Sequence, residues 1–187
     1  MSEDLNEQIV VAFFADADAA DGAAASLQAW DEANDDIKLG ALGRLVVSDG
    51  KLEAKRYGAG RTTRGALVGG ALGVLAAGVT GGLSLLAGAL GGGLVGGVTG
   101  KLTAGSFGIS DDTAEKLKQH LQDGGAALVV HCDHAELSPT MHELKRLGGT
   151  VFSLGVSEKV LNAVHQAQVD AWEEDMFRTN FEAGGVL

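Results

Sequence analysis

One stretch constrains this chain more than any other. Residues 65–100 run for 36 positions without a charge, and 14 of those positions are glycine. About half of the chain's 29 glycines therefore sit in one block, while a single proline serves all 187 residues. Glycine without proline fits neither collagen nor a disordered low-complexity chain. A flexible linker would carry Ser and other polar residues where this block carries Leu and Val.

Within the block small residues recur four apart. Gly65, Gly69, Gly73, Ala77 and Gly81 form one series; Gly92, Gly96 and Gly100 form another, shadowed by Ala89, Gly93 and Gly97. Four residues is close to one helical turn, so each series lines a groove that admits a second helix at short range. Thr80-Gly81-Gly82 marks the break between two helices. Each would have about 17 residues and span about 26 Å, slightly short of the ~30 Å hydrocarbon layer. In water each glycine costs about 1 kcal/mol of helix stability relative to Ala. The order must come from a bilayer, from close helix–helix packing, or from both.

On either side the composition is that of a soluble domain, and the reading divides the chain at 1–60, 61–105, 106–156 and 157–187. The front part reads β-α-β-β. Residues 9–14 are a continuous apolar run, as in a strand covered on both faces. Asp16 or Asp18 caps a helix with Ala20, Ala23, Ala24, Leu27 and Trp30 at helical spacing. A strand over 39–48 meets Asp49-Gly50, a two-residue hairpin signal, and returns through 51–57 as a charged edge strand. Asp16, Asp18, Asp21, Asp31, Glu32, Asp35 and Asp36 read as a solvated acidic helix face.

The back part reads α-β-α-β-α. Ser110 caps a helix that Gly124-Gly125 ends, and 126–130 is a buried strand. Ser138-Pro139 opens the next helix with proline at its first position, and Gly148 closes it. Residues 150–156 form a strand, and Ser157 caps a terminal helix. The economical fold is α+β: a ferredoxin-like sandwich, with the glycine-rich helical hairpin inserted between its halves and a C-terminal helix appended. Both halves must meet in one sheet, so the hairpin must go out and come back. Basic residues at both ends of the block, Lys55, Arg56, Arg61 and Arg64 before it and Lys101 after it, ask for the same by the positive-inside tendency.

The order of elements resembles a bacterial family of predicted membrane proteins of unknown function, some labelled general stress proteins. The likeness is carried by residues 107–112 (FGISDD), by Lys116-Leu117, by 121–130 (LQDGGAALVV) and by 144–151 (LKRLGGTV). It covers about residues 8–157 and implies a membrane hairpin and a stress-linked role, with no catalytic residues. This chain differs in a glycine-richer, less aromatic hairpin and a longer tail.

Gly91 to Gly96 matches G-x-G-x-x-G but lies inside an apolar run, without the preceding strand a dinucleotide site needs. His131-Cys132-Asp133-His134 is the one cluster of metal-capable residues, yet strand alternation sends its side chains to opposite faces. A lone Cys132 fits a reducing compartment, and the acidic residues 1–8 are unlike a secretory leader. A net charge of −11 argues against nucleic acid as a partner. Trp172, Met176, Phe177 and Phe181 form an apolar pattern in an acidic tail, suited to docking on a neighbouring protein.

The expectation is a non-enzymatic protein without cofactor that self-associates through the glycine series. Its hairpin would enter the cytoplasmic membrane, with the α+β domain in the cytoplasm. The alternative is a soluble cytoplasmic assembly (shell, bundle or filament) whose copies pack through hairpin and tail.

Overall fold

The computed structural model describes residues 7–34, 39–48, 51–57, 110–156 and 162. The glycine series, the hairpin and the tail residues Trp172, Met176, Phe177 and Phe181 lie outside the described residues, as does the expected terminal helix apart from Asn162. What is described is an α+β body in the order β1 (Glu7–Phe14), α1 (Ala17–Ala33), β2 (Leu42–Ser48), β3 (Lys51–Tyr57), α2 (Asp111–Gln122), β4 (Ala126–Asp133), α3 (His134–Arg146) and β5 (Thr150–Gly155).

The five strands make one sheet in the order β3-β2-β4-β1-β5, with every adjacent pair antiparallel. The continuous apolar runs explain the centre: β1 and β4 pair over their full length, and Ile9, Val10, Val11, Ala12, Leu128, Val129 and Val130 are fully buried. β4 lies between β1 and β2, and β1 lies between β4 and β5. Each of the units β1-α1-β2 and β4-α3-β5 is thus split by a strand of the other. In β2 and β3, Ser48 stands opposite Lys51, which leaves a two-residue connection at 49–50 as the Asp-Gly pair predicts.

Alternation along the strands gives the sheet two faces. Val10, Ala12, Phe14, Leu128, Val130 and Cys132 share one core with Ala20, Ala23, Ala24 and Leu27 of α1 and Leu144 of α3. The opposite pleat carries Phe13, whose ring lies 4.8 Å from that of His120 on α2. Helices therefore cover both faces, α1 and α3 on one and α2 on the other.

Helix ends follow local chemistry. Asp16 Oδ1 accepts the Ala19 N–H at 2.8 Å, and Ser110 Oγ accepts that of Thr113 at 3.2 Å. Gly124 and Gly148, at φ +90° and +91°, stop α2 and α3 in the left-handed region. Several boundaries differ from the sequence reading, and β2 begins at Leu42 instead of residue 39. β4 runs to Asp133 instead of Val130. α3 begins at His134, five residues before Pro139, which lies inside the helix. The start is set by Glu136, whose Oε2 reaches back to the Asp133 N–H at 2.9 Å, one half of a capping box. Pro139 is accommodated in the second turn, where the bond it lacks is the one to the Ala135 carbonyl.

Candidate functional site: a polar clasp at the edge strand

Where α1 crosses the sheet, four polar side chains converge. Arg44 is the lone charge in the apolar strand β2, and the register sets it directly opposite Lys55 of β3. Tyr57, two residues on, points to the same side of the sheet. Asp21 of α1 stands above them, between Ala17 and the buried Ala24 on the inner side of the helix.

The Asp21 carboxylate meets all three donors. Arg44 Nη1 lies 2.7 Å from Oδ1, Lys55 Nζ lies 3.0 Å from Oδ2, and the Tyr57 hydroxyl donates to Oδ1. Lys55 also rides 4.9 Å above the Tyr57 ring. Arg44 reaches on to the Ala17 carbonyl at 3.5 Å, and its side chain is only 13% exposed. Burial acts to raise the Asp21 pKa, but hydrogen bonds from Tyr57 and Lys55 and the charges of Arg44 and Lys55 outweigh it and hold the carboxyl below its ordinary value. Burial and the hydrogen bond to Asp21 push the Tyr57 phenol up in turn. One group is fixed ionised and the other fixed protonated around neutrality. This is the chemistry of a clasp, because proton transfer needs a group poised near the working pH.

The clasp corrects in part the reading of the α1 acids as a solvated face, of which Asp35 and Asp36 lie outside the described residues. Asp18 and Glu32 are exposed. Asp16 caps the helix, Asp21 anchors it to β2 and β3, and Asp31 Oδ1 accepts the Leu39 N–H at 2.8 Å where the chain returns to the sheet. Lys55, read as part of a basic flank, is committed to Asp21. The signal available beforehand was slight: one Arg in an apolar strand, and one acid at the spacing of the buried alanines.

The metal-capable residues are separated by the fold. Cys132 is buried in the core beneath α1 and α3, while His131 is buried on the opposite pleat. Gly40 lies against the His131 ring so closely that a Cβ there would stand 2.1 Å from Nδ1. His134 and His142 are exposed on α3. Among the described residues no group of three or more His, Cys, Asp and Glu side chains is placed to hold a metal ion. Among the same residues no helix is long and apolar enough to cross a membrane.

The chain belongs to the family described as Protein of unknown function (DUF1269), whose model matches residues 62–168. That span takes in the glycine-rich block, α2, β4, α3 and β5, and omits the front half that the resemblance in the sequence had included. No curated protein and no solved structure matches the chain.

Proposed function

We propose that the chain is a non-enzymatic structural protein that self-associates through the glycine-rich hairpin, with the α+β body as its platform. We read the interleaved units β1-α1-β2 and β4-α3-β5 as a ferredoxin-like core, with β3 added at one edge. The observation that carries the proposal is where the hairpin is tied. β3, which leads into the block, and α2, which follows it, both pack on β2 of the same sheet. The two ends of segment 58–109 are thus attached to one and the same body. A segment that enters a bilayer from such a body crosses an even number of times.

Small residues four apart supply the close approach of helices, and the absence of charge over 65–100 suits a bilayer. Insertion in the cytoplasmic membrane with the α+β body in the cytoplasm is the first reading. The stress-linked role implied by the resemblance would then be support at that membrane. The modest apolarity of glycine favours a second reading, a soluble homo-oligomer in which hairpins of several copies bury one another and the tail at Trp172, Met176, Phe177 and Phe181 clasps a neighbour.

Alkaline carbonate extraction of the untagged full chain separates these. Retention in the membrane pellet until detergent is added is expected for the inserted hairpin. Release as a large soluble particle would establish the second reading, and release as a monomer would refute both. Gly69→Glu and Gly96→Glu, each placing a carboxylate in a groove, are expected to abolish assembly through the hairpin while the circular dichroism of the α+β body is kept.

A further inference from the structure

The two edges of the sheet are built differently. β3 carries Lys51, Glu53, Lys55 and Arg56 among seven residues, the usual guard against unwanted strand pairing. At the other edge no charge occurs between residues 148 and 156, a run that contains the whole of β5. Proline is absent from that run as well. Thr150, Ser153 and Gly155 of β5 are exposed, and a Cβ built on Gly155 meets nothing within 4 Å. Among the described residues no strand pairs with the outer side of β5. In an antiparallel ladder alternate residues turn both main-chain groups away from their partner, so half of β5 offers N–H and C=O groups outward.

We propose that β5 is a docking edge for β5 of a second copy of this chain, joined antiparallel about a two-fold axis into one ten-strand sheet. The pattern of side chains fits itself. With the axis at Ser153, opposed residues lie on the same face, as strand pairing requires. Ser153 then meets Ser153 of the second copy. Val151 meets Gly155, large against small, on the α1/α3 face. Phe152 meets Leu154 on the α2 face, where Phe152 already lies 5.3 Å from Phe13. Charge points to the same place. Two copies of a chain with a net charge of −11 repel over most of their surfaces, and this edge is where backbones can meet with no side-chain charge between them. The contact is separate from the glycine-rich segment and stands without it.

Cysteine cross-linking in the full chain tests the pairing. Opposed residues in an antiparallel ladder have Cα atoms about 4.5–5.5 Å apart, within disulfide reach. Ser153→Cys is expected to give a disulfide-linked dimer under mild oxidant about tenfold faster than Asp112→Cys, an exposed control on α2, because pairing raises the local thiol concentration. The linkage should persist in a background carrying Gly69→Glu and Gly96→Glu. Ser153→Lys, which sets two ammonium groups at the axis, should weaken dimerisation of that background about tenfold in sedimentation equilibrium, with the fold unchanged. Cross-linking no faster than the control would overturn the proposal. So would its disappearance in the glycine-variant background, which would mean that the copies meet only through the hairpin.

Discussion

The two helices on the shared face of the sheet are held in different ways. α3 inserts Leu144 into the core, with Leu137, Met141 and Leu147 packed around it. Two of its polar bonds are local: Glu136 closes the first turn, and Glu143 binds Arg146 one turn later, with the Arg146 Nε at 2.8 Å. α1 buries mostly alanine, with Leu27 its one large fully buried side chain. Three alanines bury far less apolar area than three leucines would, so packing alone fastens α1 less firmly. Its principal polar bonds reach across the fold, from Asp21 to Arg44, Lys55 and Tyr57 on two strands. α1, which adds a partly buried Trp30 to a mostly alanine face, is docked in addition by a long-range clasp, whereas α3 packs several larger aliphatic side chains.

The comparison can be broken at its strongest points first. Leu144→Ala and Leu27→Ala should each cost about 2–5 kcal/mol in denaturant unfolding, since both side chains are fully buried and leave cavities. Equal costs would make the two helices equally dependent on their apolar anchors. Asp21→Ala comes next, at about 1–3 kcal/mol, because it strands a mostly buried Arg44 and removes the acceptor of Tyr57. A double-mutant cycle with Tyr57→Phe should show clear coupling, and simple additivity would remove the clasp from the account. Glu136→Ala in α3 should cost about 1 kcal/mol, the worth of one capping bond. Lys116→Ala, which breaks an exposed i,i+4 pair with Asp112, should stay below about 0.5 kcal/mol.

Acid and base should sharpen the same contrast. Asp21 and Glu143 both have folded pKa values below their unfolded ones, Asp21 chiefly through its bonds to Tyr57 and Lys55 against burial, Glu143 through Arg146. Their contribution is present above the ordinary carboxylate range and is lost as pH falls through the lowered values. Tyr57 runs the other way. Its folded pKa is raised, so its contribution is intact below the ordinary tyrosine value of about 10 and is lost as pH rises beyond it. Tyr57's share of the stability loss above pH 10 should therefore be missing in Tyr57→Phe. An unchanged alkaline limb in that variant would place the titrating group elsewhere.

Much of the body could be read locally. Apolar runs located β1 and β4, the Asp49-Gly50 pair located the β2–β3 connection, and Ser110, Gly124 and Gly148 marked helix ends, because each signal acts over a few neighbouring residues. The start of α3 was misplaced for a related reason. Pro139 is a conspicuous residue, but Asp133 and Glu136 satisfy the free N–H groups of the first turn five residues earlier. The clasp was not legible at all. Asp21 looks like any of the seven acids in and around α1 until the register brings Arg44 and Lys55 side by side under it.

By itself the sequence determined the strands and helices of the described body and most of their ends, together with the uncharged glycine series and its four-residue spacing. Only the tertiary structure decided the strand order, which acids of α1 are solvated and which are bound, and the contrast between a guarded and an unguarded sheet edge. The reason is range. Propensity, capping and turn chemistry are settled within a few residues, whereas partners such as Asp21 and Tyr57 lie 36 residues apart and meet only once the sheet has formed.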